Sequence, residues 1–155
     1  MTTWILVSDA SRAKLFSTEL REDPWSQVEE FAHPEGREMS REISPSSPPG
    51  RMRQTKAPKG RQTAVEPRTT PKEAEALRFA QHLANFLEDA IAKRELDYLV
   101  LVAPPHFLGT LRGTLGSQAV KHLRTTVDKD LSMFELAEIR QRLLDIVFPL
   151  NAAAP

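Results

Sequence analysis

The chain has 155 residues, 21 basic side chains against 21 acidic ones, and no cysteine. That length suits one ordinary domain, and the zero formal charge leaves no overall field to drive unselective binding to nucleic acid or acidic membranes. The lack of cysteine excludes disulfides, thiolate metal sites, iron–sulfur clusters and a cysteine nucleophile, and it fits a reducing compartment.

The opening stretch MTTWILVSDASR has no basic region and only a four-residue apolar run, which is too short for a signal peptide. Trp4 to Val7 and Ala13 to Ser17 are short, mostly apolar stretches separated by the small polar run Ser8 to Arg12, which predicts a β-hairpin. Trp25 to Phe31 reads as a third strand at an exposed edge, where a partner protein could add a strand of its own. A long loop follows over residues 33–70. Seven of the twelve prolines fall between Pro34 and Pro71, with Ser44, Ser46 and Ser47 among them, and large apolar side chains are few. Such a stretch cannot bury enough surface to fold alone, and loops of this length are generally functional or disordered.

Thr70-Pro71-Lys72-Glu73 marks the end of the loop. Thr70 can cap the free backbone N–H groups of a helix, Pro71 suits its first position, and Glu73 completes a capping box. Ala76, Phe79, Ala80, Leu83, Phe86, Leu87, Ala90 and Ile91 then recur at intervals of three and four, while Lys72, Glu75, Arg78, Gln81, Glu88 and Asp89 take other faces. Tyr98 to Ala103 is an unalternating, branched run, the pattern of a strand covered on both faces and far short of the roughly 20 residues that span a bilayer. Pro104-Pro105 ends it. Phe107 to Leu115 and Ser117 to Arg124 read as short helices, and Thr125 to Val127 as a last strand. Ser132 with Glu135 reads as a second capping box that opens a helix ended by Pro149. The predicted fold is a single α/β domain. Its mixed β-sheet joins an N-terminal antiparallel meander to helix-linked strands, packed with helices.

The histidines His33, His82, His106 and His122 share no HxxxH or HExxH spacing, so no metal site is predicted. No Walker loop, GxSxG or dinucleotide fingerprint occurs, and Gly109 and Gly113 read as packing glycines, so no cofactor is expected. Asp9 and His106 follow the carboxyl ends of predicted strands, where open α/β sheets bind ligands, and are the candidate ligand-site residues. Two-metal nuclease chemistry needs several converging carboxylates. Ala103 to His106 supplies none, and Asp128 and Asp130 read as turn and helix-entry residues. The local anomaly is charge: between Arg51 and Thr70 six bases meet one acid, a net of +5, which leaves −5 for the other 135 residues. Arg51, Arg53, Lys56, Lys59 and Arg61 are the candidate RNA phosphate contacts. No aromatic residue accompanies them, so base stacking is not indicated.

Three passages together resemble the bacterial host attachment protein family: Trp4 to Phe16 (WILVSDASRAKLF), Gly60 through Glu73, and Leu99 to Gly109 (LVLVAPPHFLG). The resemblance extends to Val127-Asp128-Lys129-Asp130-Leu131. The same family is distantly similar to the middle domain of archaeal and eukaryotic peptide-release factors and ribosome-rescue factors. There a basic loop carries Gly-Gly-Gln, and its glutamine positions water against the peptidyl-tRNA ester. Here the comparable loop reads Lys59-Gly60-Arg61-Gln62, with Leu77-Arg78-Phe79-Ala80 later in the helix, and Arg61 replaces the second glycine and its conformational freedom.

The resemblance implies a release-factor-like fold and, with the local charge, a cytoplasmic, non-enzymatic protein that contacts RNA or the ribosome. The enzymatic alternative is peptidyl-tRNA ester hydrolysis with Gln62 positioning water, with ribosome or tRNA as partner. The third alternative is a protein-interaction module for attachment to host cells, using the exposed third strand. Oligomeric state is left open.

Overall fold

The computed structural model describes residues 1–32 and 70–150. Strand β1 (Thr3–Ser8) is buried along its whole length at the centre of a five-stranded sheet. It pairs antiparallel with β2 (Arg12–Thr18), which pairs antiparallel with β3 (Ser26–Ala32). On its other side β1 pairs in parallel with β4 (Tyr98–Val102), and β4 in parallel with β5 (Leu123–Val127). The order β3-β2-β1-β4-β5 leaves β3 at one edge, as expected for the third strand.

Among the described residues four helices cover the sheet: α1 (Pro71–Ala92), α2 (Pro105–Thr114), α3 (Ser117–His122) and α4 (Leu136–Val147). The strand pleat sorts side chains between two cores. Trp4, Leu6, Ala13, Leu15, Leu99 and Leu101 pack with Phe79, Leu83, Leu87, Phe107, Leu111 and Ala119 on the side of α1, α2 and α3. Ile5, Val7, Phe16, Val100 and Val102 pack with Ile139, Leu143 and Val147 of α4. Two-sided burial is why β1 and β4 read as continuous apolar runs rather than as alternating ones.

The predicted start of α1 is present atom for atom. Thr70 Oγ1 accepts from the Glu73 N–H at 3.0 Å, and Glu73 Oε1 accepts from the Thr70 N–H at 3.2 Å. The far end closes as a Schellman motif: the Glu95 N–H donates to Ala90 O and the Arg94 N–H to Ile91 O. Arg94 takes φ 61°, alone among the described non-glycine residues in the left-handed region.

Four expectations change in detail. Ser132 and Glu135 form no capping box, because Glu135 is itself the N-cap of α4 and no side chain caps that end. Ser132 is buried and its hydroxyl faces two carboxylates, Asp9 Oδ2 and Asp130 Oδ1, each at 3.0 Å. Strand β5 begins at Leu123 instead of Thr125, because Leu123 pairs with Leu99 before a register shift, and this ends α3 at His122. Glu75 is buried within α1, its carboxylate 3.3 Å from the Arg78 guanidinium. Glu88 is half-buried and reaches across to α3, whose first turn has no cap of its own. Its Oε2 accepts from the Ala119 N–H at 3.1 Å.

Candidate functional site

Parallel pairing of β1, β4 and β5 brings their carboxyl ends to one edge of the sheet, and β3 ends there too because two antiparallel steps restore its direction. Loops following the strands meet at this edge, as do the amino ends of α1 and α2. Asp9 follows β1, Pro104 to His106 follow β4, and Asp128 to Asp130 follow β5. An open groove of about 580 Å³ lies here between the β1–β2 turn and the two helix starts. Ala10, Ala76 and Leu77 form its apolar side, with Lys72, Glu73 and His106 on its polar side.

Asp9 serves the turn. Its Oδ1 accepts from the main-chain N–H groups of Ser11 (2.8 Å) and Arg12 (2.9 Å), an arrangement that shapes the β1–β2 connection. Its Oδ2 accepts from Ser132, so one side chain ties the turn after β1 to the loop after β5. His106 lies on the exposed first turn of α2 and lines the groove, away from Asp9's hydrogen-bonding set. The two candidate ligand residues thus share the sheet edge without sharing a hydrogen bond. Asp130 joins Asp9 through Ser132, whereas Asp128 is exposed. Among the described residues no three His, Cys, Asp or Glu side chains come together as a metal-binding group.

Arg51, Arg53, Lys56, Lys59, Arg61 and Gln62 lie outside the described residues. The described residues that bracket them have defined places. Ala32 is in register with Arg12, and Thr70 lines the groove with Ala10. The described residues on either side of residues 33–69 therefore both stand beside the β1–β2 turn.

Sequence reading passed over two cations on this part of the sheet. Arg12 and Lys14 alternate with buried Ala13 and Leu15, so the pleat puts them on the α4 side with Phe16. Arg12 Nη1 contacts Met133 Sδ at 3.1 Å, and Lys14 Nζ donates to Phe134 O at 3.3 Å. Neither takes part in an ion pair among the described residues. The readable signal was the period-two placement of two bases at a strand start next to a turn.

No described helix is long and apolar enough to cross a membrane. A family described as "Protein required for attachment to host cells" matches residues 4–143. Among solved structures, one described as "Archaeal protein" is 12% identical with a TM-score of 0.44. The match covers 98% of this chain and 40% of that one, so the chain spans well under half the length of the structure it matches. No curated protein matches the sequence.

Proposed function

Since the chain belongs to the family of proteins required for attachment to host cells, a description that names a phenotype and no chemistry, we propose that its chemistry is contact with RNA phosphates through the cationic segment. The observation that carries this reading is the net +5 between Arg51 and Thr70. The described residues, by contrast, hold thirteen bases and seventeen acids, a net of −4. A domain of that sign repels a polyanion, so affinity must come from the segment. Arg51, Arg53, Lys56, Lys59 and Arg61 are the contacts, each displacing counterions from a phosphate, and the protein acts in the cytoplasm on RNA or ribosomes. Ala32 and Thr70, the described residues on either side of residues 33–69, both stand at the sheet edge where loops gather, which is compatible with the reading.

The test is co-sedimentation of the full chain with ribosomes across a salt series. The protein should pellet at low salt and be released as salt rises. Replacing the five bases by glutamine should abolish pelleting, and an unchanged pellet removes the reading. Peptidyl-tRNA hydrolysis that disappears in Gln62→Ala would replace it with the enzymatic alternative.

The family description favours a second reading, a protein contact in attachment. β3 is the edge strand that would accept a partner's strand, with five consecutive exposed residues from Ser26 to Glu30. Cell fractionation separates the two, because a wholly cytosolic pool opposes direct contact with a host surface.

A further inference from the structure

We propose that a cavity at the opposite end of the sheet from the groove binds an aliphatic α-amino acid, a site independent of the RNA reading above. The cavity, about 510 Å³, opens between the carboxyl end of α1, the chain leading into β4, and α3. That volume suits a small molecule. Ile91 and Leu96 give it apolar walls, and Glu88, Arg94, Asp97 and His122 give it charged and polar ones. The two acids are held in place, and each keeps an oxygen to spare. Asp97 Oδ2 accepts from the Thr2 N–H at 2.8 Å and Glu88 Oε2 from the Ala119 N–H, whereas Asp97 Oδ1 and Glu88 Oε1 have no hydrogen bond among the described residues. His122 Nδ1 lies 2.8 Å from Gln118 O, so it carries the proton, and a neutral ring then offers Nε2 as an acceptor. Three acceptors thus line one cavity, and an ammonium carries three donors. α1 ends without a basic side chain in its last turn, and its negative pole favours the same cation.

Arg94 supplies the other half of the match. It takes φ 61° at the helix-ending position where glycine ordinarily stands, and strain of this kind gathers at binding sites. Its side chain returns nothing to the fold: the guanidinium makes no hydrogen bond or ion pair among the described residues, not even with Glu88 or Asp97. A planar fork of N–H donors lining a cavity is suited to a carboxylate. With one base against two acids the cavity is net negative, which disfavours a phosphate dianion. A zwitterion instead places its ammonium on the acids and its carboxylate on Arg94. Ile91 and Leu96 then receive an uncharged aliphatic side chain.

The test is isothermal titration calorimetry of the full chain with L-leucine, L-isoleucine and L-valine, with amide NMR shifts to locate the ligand. At least one of the three should bind at a single site per chain and move the resonances of Arg94 to Asp97 and of His122. Isoamylamine and isocaproate, which are leucine without its carboxylate and without its ammonium, should each bind about tenfold more weakly or worse. Arg94→Gly should lose about tenfold in affinity while its thermal midpoint rises, because the strain leaves with the guanidinium. A residue that only supported the fold would lower both readings together. Asp97→Asn keeps an acceptor for the Thr2 N–H and should lose a similar factor in affinity. No binding by any of the three amino acids at tens of millimolar overturns the proposal. Either half-ligand binding as tightly as leucine also overturns it, since the zwitterion is then not what the cavity reads. Amino-acid binding that neither variant weakens lies elsewhere on the chain and overturns it too.

Discussion

Gly116 and Glu88 should behave as one unit in a double-mutant cycle. A Cβ built at Gly116 would lie 2.5 Å from Glu88 Oε2 and 2.8 Å from its Cδ, closer than real Cβ contacts allow. Gly116→Ala must therefore push the carboxylate away and break its bond to the Ala119 N–H. That bond caps a helix start that has no side-chain cap of its own. A charge-assisted hydrogen bond is worth about 1.5–3 kcal/mol, and partial exposure of Glu88 places the loss at the lower end, about 1–2 kcal/mol. Glu88→Ala should cost the same amount for the same reason. The double variant should cost little more than either single one, because alanine at position 116 then meets no carboxylate and its backbone, φ −78° and ψ 173°, is open to any residue. Urea denaturation of the four proteins measures the cycle, with a coupling of about 1 kcal/mol or more expected. Additivity to within about 0.5 kcal/mol, the behaviour of independent sites, refutes the reasoning.

Three further outcomes are expected. Ser132→Ala removes the only side-chain donor among the described residues between Asp9 Oδ2 and Asp130 Oδ1, leaving two carboxylates facing each other, and should cost about 1–3 kcal/mol by denaturant unfolding. Arg94→Gly should stabilise the chain by about 1 kcal/mol, read as a raised denaturation midpoint, because a left-handed L-residue costs roughly that much where glycine does not. The Glu19 carboxyl is held below its ordinary value first by the Thr2 hydroxyl and then by the N-terminal ammonium, 3.2 Å away. A depressed folded value means that this contact supports the fold above the unfolded carboxylate pKa and is lost as pH falls through the folded one. Thr2→Val should move the Glu19 titration upward in a carboxyl-resolved NMR titration.

Local patterns were legible and long-range capture was not. The Thr70–Glu73 box needs only atoms within one turn, so its residue types were sufficient to predict it. Ser132 and Glu135 show the same spacing, yet Ser132 turns to Asp9, 123 positions earlier in the chain, and no local pattern encodes that attraction. Glu88 sits on the predicted polar side of its helix, but α3 packs within its reach and converts a solvated acid into a cap. The start of β5 was missed for a related reason. Leu123 and Arg124 suit a helix as well as a strand, and pairing with β4 decides between them. At the candidate site, the strand-end rule correctly put Asp9 and His106 at one edge. It could not show that both Asp9 oxygens are engaged or that Arg12 Nε has no partner among the described residues, since both facts depend on how loops from distant parts of the chain meet.

The neutral total charge bears directly on how an RNA contact of this kind must behave. With −4 on the described residues, electrostatics favours an approach through the cationic segment and disfavours most of the remaining surface. Binding of this type is steep in salt, about 0.7 in the log–log slope for each single-strand phosphate, so five segment contacts predict a slope near −3.5. The same charge asymmetry allows the segment to be attracted to acidic groups of its own domain, such as exposed Glu29 and Glu30 on edge strand β3. These arrangements separate experimentally. Replacing Glu29 and Glu30 by glutamine raises RNA affinity where the acids compete with phosphate for the segment, and removes part of the general repulsion where they do not. Only competition ties the gain to the segment, so that it shrinks when Arg51, Arg53, Lys56, Lys59 and Arg61 are replaced one at a time, whereas acids acting through the field of the domain give a gain that those single replacements leave unchanged.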